Sequence, residues 1–468
     1  MMRTELAAPP SVFRAPRIAK LSGGRVVRAS GGTALRVCTD TRQLRRGDCF
    51  IALVGDRFDG HDYLQQAFEA GAAGVVVSRP LRREDVPPGM FAVRVPDTLA
   101  ALQAVAAGYR SEHPARVVGI TGSCGKTSTK DMLGPVLERA MPTVRSPHSY
   151  NNQIGVPLTL FLLRPDTEAA IVEIGTSEPG EIARLASIAA PDIAIVTCVA
   201  EAHLQGLMSL SGVAAEKSAL VQALRPDGVA ILNGDDEACR AMAAATTARP
   251  VMVRIDREAD WFATQARAHG MGTTFLLQGE RPVTLPRLGT HNVYNALFTI
   301  AAAAEMGLDL DVALDALCAL PPTARRLEPK VAGGVTVFDD TYNMNPASAR
   351  AGLRALAGLA GSGRRVVVFG GMMDLGERSD ELHQALGADV AAASVDLLVS
   401  VGDEAGLIVD GARTAGLSAD RTWRASGVRD AVDALVEQLQ PGDRVLCKAS
   451  RGFELDRLVD GLVARLGA

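Results

Sequence analysis

Residues 119–129 read Gly119-Ile120-Thr121-Gly122-Ser123-Cys124-Gly125-Lys126-Thr127-Ser128-Thr129, directly after the apolar pair Val117-Val118. A short apolar strand, a glycine-bounded loop and a Lys-Thr pair opening a helix form an arrangement that grips a triphosphate. The glycines let backbone N–H groups close around phosphate oxygens without interference from Cβ. Lys126 can reach the β- and γ-phosphates, and the Thr127 hydroxyl can ligate Mg²⁺. A helix starting at Lys126 aims its positive dipole end at the same anion. The expected nucleotide-binding stretch is therefore Gly122, Ser123, Cys124, Gly125, Lys126, Thr127 and Ser128. The generic pattern G-x-x-x-x-G-K-[ST] asks for glycine at position 120, where this chain has Ile120. What remains is the tighter form T-G-x-x-G-K-T.

A triphosphate site needs further groups to place a metal ion. Glu173 ends the apolar run Ala170–Ile174 and precedes Gly175, so its carboxylate sits where parallel sheets bind ligands, at a strand's C-terminal end. His203 follows the run Ile193–Val199; a lone histidine there suits a metal ligand or a structural residue. Lys217, on an amphipathic helix spanning Val213 to Leu220, reads as a surface lysine. The amides Asn151 and Asn152 precede Gln153-Ile154-Gly155-Val156-Pro157; they can read polar substrate groups or form Asx turns. The segment Asp339-Asp340-Thr341-Tyr342-Asn343-Met344-Asn345-Pro346 is dense in hydrogen-bonding side chains after the strand Val335–Phe338. Phe369-Gly370-Gly371 also ends a strand but lacks the G-x-G-x-x-G spacing of a dinucleotide loop.

The elements that must position these groups alternate almost throughout. Strand-like runs at Val117–Thr121, Ala170–Ile174, Ile193–Val199, Val229–Leu232, Val335–Phe338, Val366–Phe369, Leu397–Val401 and Val445–Cys447 are separated by Ala/Leu-rich helical stretches. This predicts an α/β fold with largely parallel sheets. The helix after the phosphate loop carries Met132, Leu133, Val136, Leu137 and Met141 at helical spacing, with a kink expected at Gly134-Pro135. One domain boundary is expected near Pro96, where a new helix starts at Asp97. A second is expected near Pro321-Pro322, after an Ala-rich helix over 292–306. Trp261 to Leu277 reads as a small β insertion.

With 468 residues, three domains are expected at about 150 residues each. The net charge of −4 provides no basic field to recruit nucleic acid or a membrane surface, so an anionic ligand must be held locally. Cys38, Cys49, Cys124, Cys198, Cys239, Cys318 and Cys447 are scattered without a C-x-x-C pair, which points to reduced thiols rather than disulfides or zinc. The basic N-terminus (Arg3, Arg14, Arg17, Lys20) is not followed by a long apolar run, and no stretch approaches a membrane span. A soluble, cytoplasmic protein is expected.

Taken together, the motifs resemble one family. T-G-x-x-G-K-T, Asn151-Asn152 with Ile154-Gly155-Val156-Pro157, and Glu173-Ile174-Gly175 are similar to segments of the Mur ligases, as are Ala202-His203-Leu204, Lys217 and His291-Asn292 with Asn295-Ala296. The similarity covers nearly the whole chain. Asp40-Thr41-Arg42, Gly47-Asp48, Gly55 through Asp62, Tyr342-Asn343-Met344-Asn345-Pro346 and Gly376-Glu377-Arg378-Ser379 resemble the branch that adds D-alanyl-D-alanine.

The resemblance implies three α/β domains: 1–95 binding a UDP-sugar, 96–323 a central ATP-binding ligase domain with a mostly parallel sheet, and 324–468 a Rossmann-like domain. It implies ATP and Mg²⁺ as cofactors. UDP-N-acetylmuramoyl-tripeptide and D-Ala-D-Ala are the implied substrates, joined through an acyl phosphate by a monomer. Lys126, Glu173, His203 and Lys217 take catalytic places. Thr127, Glu173 and His203 become metal ligands, joined by Lys217 if it is carbamylated, which reverses its reading as a surface residue. Asn295, Arg326 and Asp340 match adenine- or ribose-contacting positions. Thr41, Arg42, Asn151, Asn152, Thr176, Ser177, Asn343 and Asn345 match substrate-facing ones.

Two departures stand out. Gly371 replaces a usual aspartate, and Ala449 replaces a usual glycine, which removes the expectation of a left-handed backbone there. The alternatives are a diamino-acid-adding ligase, a folylpolyglutamate synthetase, a non-catalytic nucleotide-binding protein and a dinucleotide oxidoreductase.

Overall fold

A computed structural model describes residues 13–29 and 32–467; Arg3 lies outside them. Three sheets organise a three-domain α/β chain. In contact terms the chain groups into two compact units. One holds the described residues up to Gly119 with Met141–Gly175 and Ala183–Asp192. The other holds Ile120–Ala140, Thr176–Ile182 and the described residues from Ile193 on.

The five-stranded sheet has the order Arg25–Arg28, Phe91–Arg94, Gly74–Val77, Cys49–Ile51, Val37–Cys38. Only the Arg25–Arg28 pairing is antiparallel. The nine-stranded sheet runs Arg281–Leu285, Gly272–Leu277, Trp261–His269, Arg249–Ile255, Val229–Asn233, Ile193–Val196, Arg116–Thr121, Ala169–Glu173, Thr143–Arg145. The strand leading into the phosphate loop thus lies between Ile193–Val196 and Ala169–Glu173. Sequence order reverses there, which is where open α/β sheets bind ligands. The six-stranded sheet runs Glu328–Ala332, Val335–Asp340, Arg444–Lys448, Arg365–Phe369, Leu397–Val401, Thr422–Ala425, parallel apart from its first pair.

Alternate residues of the six-stranded sheet enter different cores, as the period of two requires. Val367 and Phe369 join Phe338, Leu398 and Leu446 in one cluster, while Val366 and Val368 join Val337, Val399 and Val445 in another. Both faces are covered, so these strands read as continuous apolar runs rather than alternating ones.

Helix starts follow local chemistry. Asp97 caps Thr98–Ser111 by accepting from the amides of Leu99 (2.7 Å) and Ala100 (3.1 Å). The helix after the phosphate loop is Lys126–Leu137 and runs through Pro135. Met141 lies beyond it, because Pro142 disfavours helical geometry at the preceding residue. The expected strand Ile193–Val199 stops at Val196, because Thr197, Cys198 and Ala200 turn their polar groups to the phosphate loop. The expected insertion at Trp261–Leu277 is instead the continuation of the nine-stranded sheet, with Trp261–His269 pairing parallel to Arg249–Ile255. A further helix, Leu310–Cys318, intervenes between Thr290–Glu305 and Pro321-Pro322.

Arg444 supports the last sheet. Its buried guanidinium donates to the carbonyls of Leu359 (2.8 Å), Ala360 (3.3 Å), Gly361 (3.1 Å) and Gly363 (2.6 Å). Without it, these turn carbonyls lose a charged donor. Arg444→Met is expected to destabilise the C-terminal domain by about 3 kcal/mol, seen as a lower midpoint of its thermal unfolding. An unchanged midpoint would show the turn to be self-supporting.

Candidate functional site

The phosphate loop owes its shape to two glycines. Gly122 has φ 147° and Gly125 φ 88°, a region that side chains disfavour. A Cβ at Gly122 would collide with Thr197 Oγ1, and one at Gly125 would stand 2.7 Å from Asn295 Oδ1. Ile120 is a fully buried residue of the strand Arg116–Thr121, which explains why no glycine is needed there. The loop is tied to the next strand's exit. The Ser123 amide donates to Cys198 O (2.9 Å), Ser123 Oγ donates to Ala200 O (2.8 Å), and Thr197 Oγ1 donates to Cys124 O. Lys126 Nζ donates to Gly122 O at 2.6 Å. Gly125 caps the helix without a side chain, leaving first-turn amides for an anion.

Lys217 is not at the surface. It lies on the helix Leu210–Gln222 and is 1% exposed, because its face of the helix packs inward with Val213, Leu220 and Val221. Burial, then the neighbouring Lys126 charge, pushes its pKa down to about 7. His203 is pushed down to about 4 by burial, then by Lys126 and Lys217, against an opposing pull from Asp374. Its imidazole is thus neutral at pH 7. Nδ1 is buried, makes no hydrogen bond and stands 3.4 Å from Asp374 Oδ2. The Lys126 charge thus disfavours protonation of both Lys217 and His203, and the cluster favours added negative charge.

Glu173 ends the strand Ala169–Glu173 and is buried. Asn151 Nδ2 donates to its Oε1 at 2.9 Å, and its amide donates to Ser146 Oγ at 3.0 Å. A Cβ at Gly175 would stand 2.8 Å from the Asn151 carboxamide carbon, so glycine there makes room for that contact. The asparagine pair therefore divides its work. Asn152 Oδ1 accepts from the amides of Ile154 (3.1 Å) and Gly155 (2.9 Å), forming an Asx turn into the helix Gly155–Leu160. Thr176 Oγ1 donates to Glu178 O (2.9 Å), and the Ser177 amide donates to Glu181 Oε2 (2.6 Å). Thr41 donates to Gln66 Oε1 at 3.1 Å, and Arg42 pairs with Asp40 at 2.8 Å, both at the surface of the five-stranded domain.

The segment after Val335–Asp340 is built by its own polar groups. Asp340 accepts from Lys448 Nζ at 2.6 Å, and Lys448 also donates to Asn343 O at 3.0 Å. Burial raises the Asp340 pKa, opposed by Lys448 and Arg326. The Arg326 guanidinium lies 4.4 Å from the Tyr342 ring centroid. Asn343 Oδ1 accepts from the Met344 amide at 2.9 Å. Asn345 caps the helix Pro346–Ala357 through the Ser348 amide (2.9 Å), and its Nδ2 donates to Ser123 O of the phosphate loop at 3.1 Å. Asn295 is buried against that loop, accepting from Thr129 Oγ1 at 3.2 Å and donating to Asn292 at 3.0 Å.

Sequence reasoning missed Asp374, Glu216 and Thr197. Asp374 has φ 62° and accepts from the Gln205 amide at 3.1 Å; its position just before Gly376-Glu377-Arg378 was the available signal. Glu216, beside Lys217, accepts from the amides of Gly180 and Ile182, both at 2.7 Å. Gly371 sits where any Cβ would collide with the Phe453 ring, which accounts for glycine there, and Ala449 has no left-handed backbone. Among the described residues no three His, Cys, Asp or Glu side chains form a ready cation cage.

The Mur ligase middle domain matches residues 120–303, the Mur ligase glutamate ligase domain 325–451, and the Mur ligase family catalytic domain 36–110. The UDP-N-acetylmuramoyl-tripeptide--D-alanyl-D-alanine ligase of Bacillus subtilis is 36% identical over 91% of this chain and 93% of its own length. The Escherichia coli enzyme of the same name gives the same three figures, 36%, 91% and 93%. Among solved structures, MurF from Acinetobacter baumannii superposes with a TM-score of 0.89 at 30% identity, covering 98% of this chain and all (100%) of that one. MurF from Thermotoga maritima in complex with ADP superposes at 0.83 with 25% identity, covering 92% and 97%. With a glycine-shaped phosphate loop, a buried lysine beside it and relatives that match almost end to end, the chain belongs to the Mur ligase family of ATP-dependent, amide-forming enzymes.

Proposed function

We propose that the chain joins D-alanyl-D-alanine to UDP-N-acetylmuramoyl-tripeptide at the expense of ATP in peptidoglycan precursor synthesis. The observation that carries this reading is the 36% identity to ligases of that name across 91% of the chain. A tripeptide carboxylate oxygen attacks the γ-phosphorus, the bond to ADP breaks, and an acyl phosphate forms. The dipeptide amine then attacks the acyl carbon, loses a proton and expels phosphate, leaving the amide. Phosphorylation is needed because a carboxylate is a poor acyl donor.

The loop amides with Lys126 hold the triphosphate. Asn295, Arg326 and Asp340 serve the nucleoside. Thr41, Arg42, Asn151, Asn152, Thr176, Ser177, Asn343 and Asn345 serve the two substrates. Domain boundaries near 95/96 and 323/324, a monomer and a cytoplasmic location belong to the same reading; among the described residues no helix is long and apolar enough to cross a membrane.

Mg²⁺, held by Thr127, Glu173, His203 and a carbamylated Lys217, would offset the repulsion between carboxylate and triphosphate and stabilise the transferring phosphoryl group. His203 suits this place, being neutral with a buried Nδ1 that makes no hydrogen bond. Asp374 Oδ2 stands 3.4 Å from that same nitrogen and would add negative charge beside the cation. Asp374→Asn is expected to raise the Mg²⁺ concentration for half-maximal turnover about tenfold; an unaltered requirement would remove Asp374 from that role.

The deciding assay is ADP release. It should require UDP-N-acetylmuramoyl-tripeptide together with D-Ala-D-Ala. Turnover only with the UDP-N-acetylmuramoyl-dipeptide and a diamino acid, or only with a folate and glutamate, would replace this reading.

A further inference from the structure

Cys124 lies within the phosphate loop, and the segment Thr197–Ala200 lies against it. Cys124 Sγ and Cys198 Sγ are 3.1 Å apart, and both residues are half-buried. Cys38, Cys49, Cys239 and Cys447 are buried, and Cys318 is exposed. We propose that Cys124 and Cys198 are a peroxide-oxidisable dithiol, a modification site that closes to a disulfide and weakens nucleotide binding.

Sulfurs in a disulfide are about 2.05 Å apart, so closure asks for about 1 Å of movement. The two residues are already held in register. The Ser123 amide donates to Cys198 O at 2.9 Å, the Ala200 amide donates to Ser123 Oγ at 2.9 Å, and Thr197 Oγ1 donates to Cys124 O. Little chain entropy remains to be lost. The roles of the sulfurs are also distinct. The two sulfurs share a hydrogen bond that either can donate. That bond, the contact with the Cys124 carbonyl and the Lys217 charge bring Cys198 down to about 7 against burial, while the shared bond and burial raise Cys124. Cys198 is therefore the attacking thiolate.

The oxidant is a hydroperoxide. The Cys198 thiolate attacks the terminal oxygen, the O–O bond breaks, and the departing alkoxide or hydroxide takes a proton, leaving Cys198 as a sulfenic acid. The Cys124 thiol gives up its proton and attacks the Cys198 sulfur. The S–O bond breaks, and hydroxide leaves as water with that proton. Two thiols lose two electrons, and the hydroperoxide is reduced to an alcohol, or to water, with one further water formed.

The bridge draws the Cys124 side chain away from the place it occupies in the reduced loop, and the flanking amides must follow. Misplacement by about 1 Å in a preorganised site can cost up to about 10²-fold, so nucleotide affinity should fall at least about tenfold. This consequence rests on the loop being the triphosphate site; formation of the disulfide does not. By linkage, bound nucleotide resists oxidation by the same factor. A tenfold effect corresponds to about 30 mV in the dithiol's reduction potential.

The test uses the full chain, titrated with hydrogen peroxide, alkylated and mapped by non-reducing peptide mass spectrometry. A fluorescent ATP analogue is titrated before oxidation, after it, and after dithiothreitol. The expected result is a cross-linked peptide pair containing Cys124 and Cys198, affinity weakened at least tenfold and restored by reduction, and slower cross-linking when ATP is present. Cys198→Ser should bind the analogue normally and keep its affinity after peroxide; Cys198→Ala serves if the serine variant fails to fold. Both thiols staying alkylatable at peroxide doses that oxidise Cys318 would overturn the proposal, as would a disulfide that leaves affinity unchanged. If the reduced wild-type chain binds no analogue, the triphosphate reading fails, while the peptide map still decides whether the disulfide forms.

Discussion

Lys126→Ala is expected to lower kcat/KM for ADP release by about 10³-fold. A cation aimed at the transferring phosphoryl group stabilises charge that develops in the transition state, and losing one preorganised donor typically costs about 10²–10³ in rate. Here the loss extends further, because Lys126 also depresses the protonation of its neighbours. The low pKa values of Lys217, about 7, and His203, about 4, each owe part of their shift to it. Without Lys126 both rise, and the site trades one fixed cation for more loosely held protons. Turnover within tenfold of wild type would show that the loop is not where the triphosphate reacts. An upward shift of the His203 titration, followed by NMR in the same variant, checks the electrostatic half independently of activity.

Lys217→Ala should lose about 10²–10³-fold in kcat, and Lys217→Arg should lose as much. If the working form is the carbamate, arginine keeps the cation but cannot add carbon dioxide. A neutral amine is the form that adds it, and burial makes that form accessible near pH 7, since the group titrates at about 7 rather than 10.5. The wild-type chain should gain the mass of one carbon dioxide in bicarbonate, and short carboxylic acids should partly restore Lys217→Ala. Full activity in Lys217→Arg would rule out a carboxylate-like role.

Much of this was legible in the residues. The eight apolar runs became strands because valine- and isoleucine-rich segments covered on both faces have little other use. Gly122 and Gly125 announced a phosphate loop because their left-handed backbones admit no side chain. Lys217 was misjudged from pattern alone: a lysine among alanines and serines looks solvated, and only tertiary packing buries it. Asn151 and Asn152 could not be told apart in sequence, since one amide meets Glu173 and the other closes a turn. Asp374 escaped because its link to His203 joins segments far apart in the chain. Met141 was misassigned because helical spacing continued past the point where Pro142 forbids the backbone.

Asn345 does two jobs, starting the helix Pro346–Ala357 and touching the phosphate loop through one hydrogen bond to Ser123 O. A single neutral hydrogen bond is worth about 1 kcal/mol net, and the half-exposed Arg378–Glu201 ion pair at 2.9 Å adds about 1 kcal/mol at most. Behind them the Gln205 amide donates to Asp374 O at 3.1 Å, and Leu204, Leu207, Val213 and Leu288 share a buried core with Phe338, Leu353 and Phe369. At about 1.4 kcal/mol per decade of population, the two polar contacts alone bias the arrangement by little more than one order of magnitude, and the shared core adds to that. The polar contacts are weak enough to be made and broken in each turnover, whereas parting the shared core would wet apolar surface, a cost that nucleotide and peptide binding would have to offset.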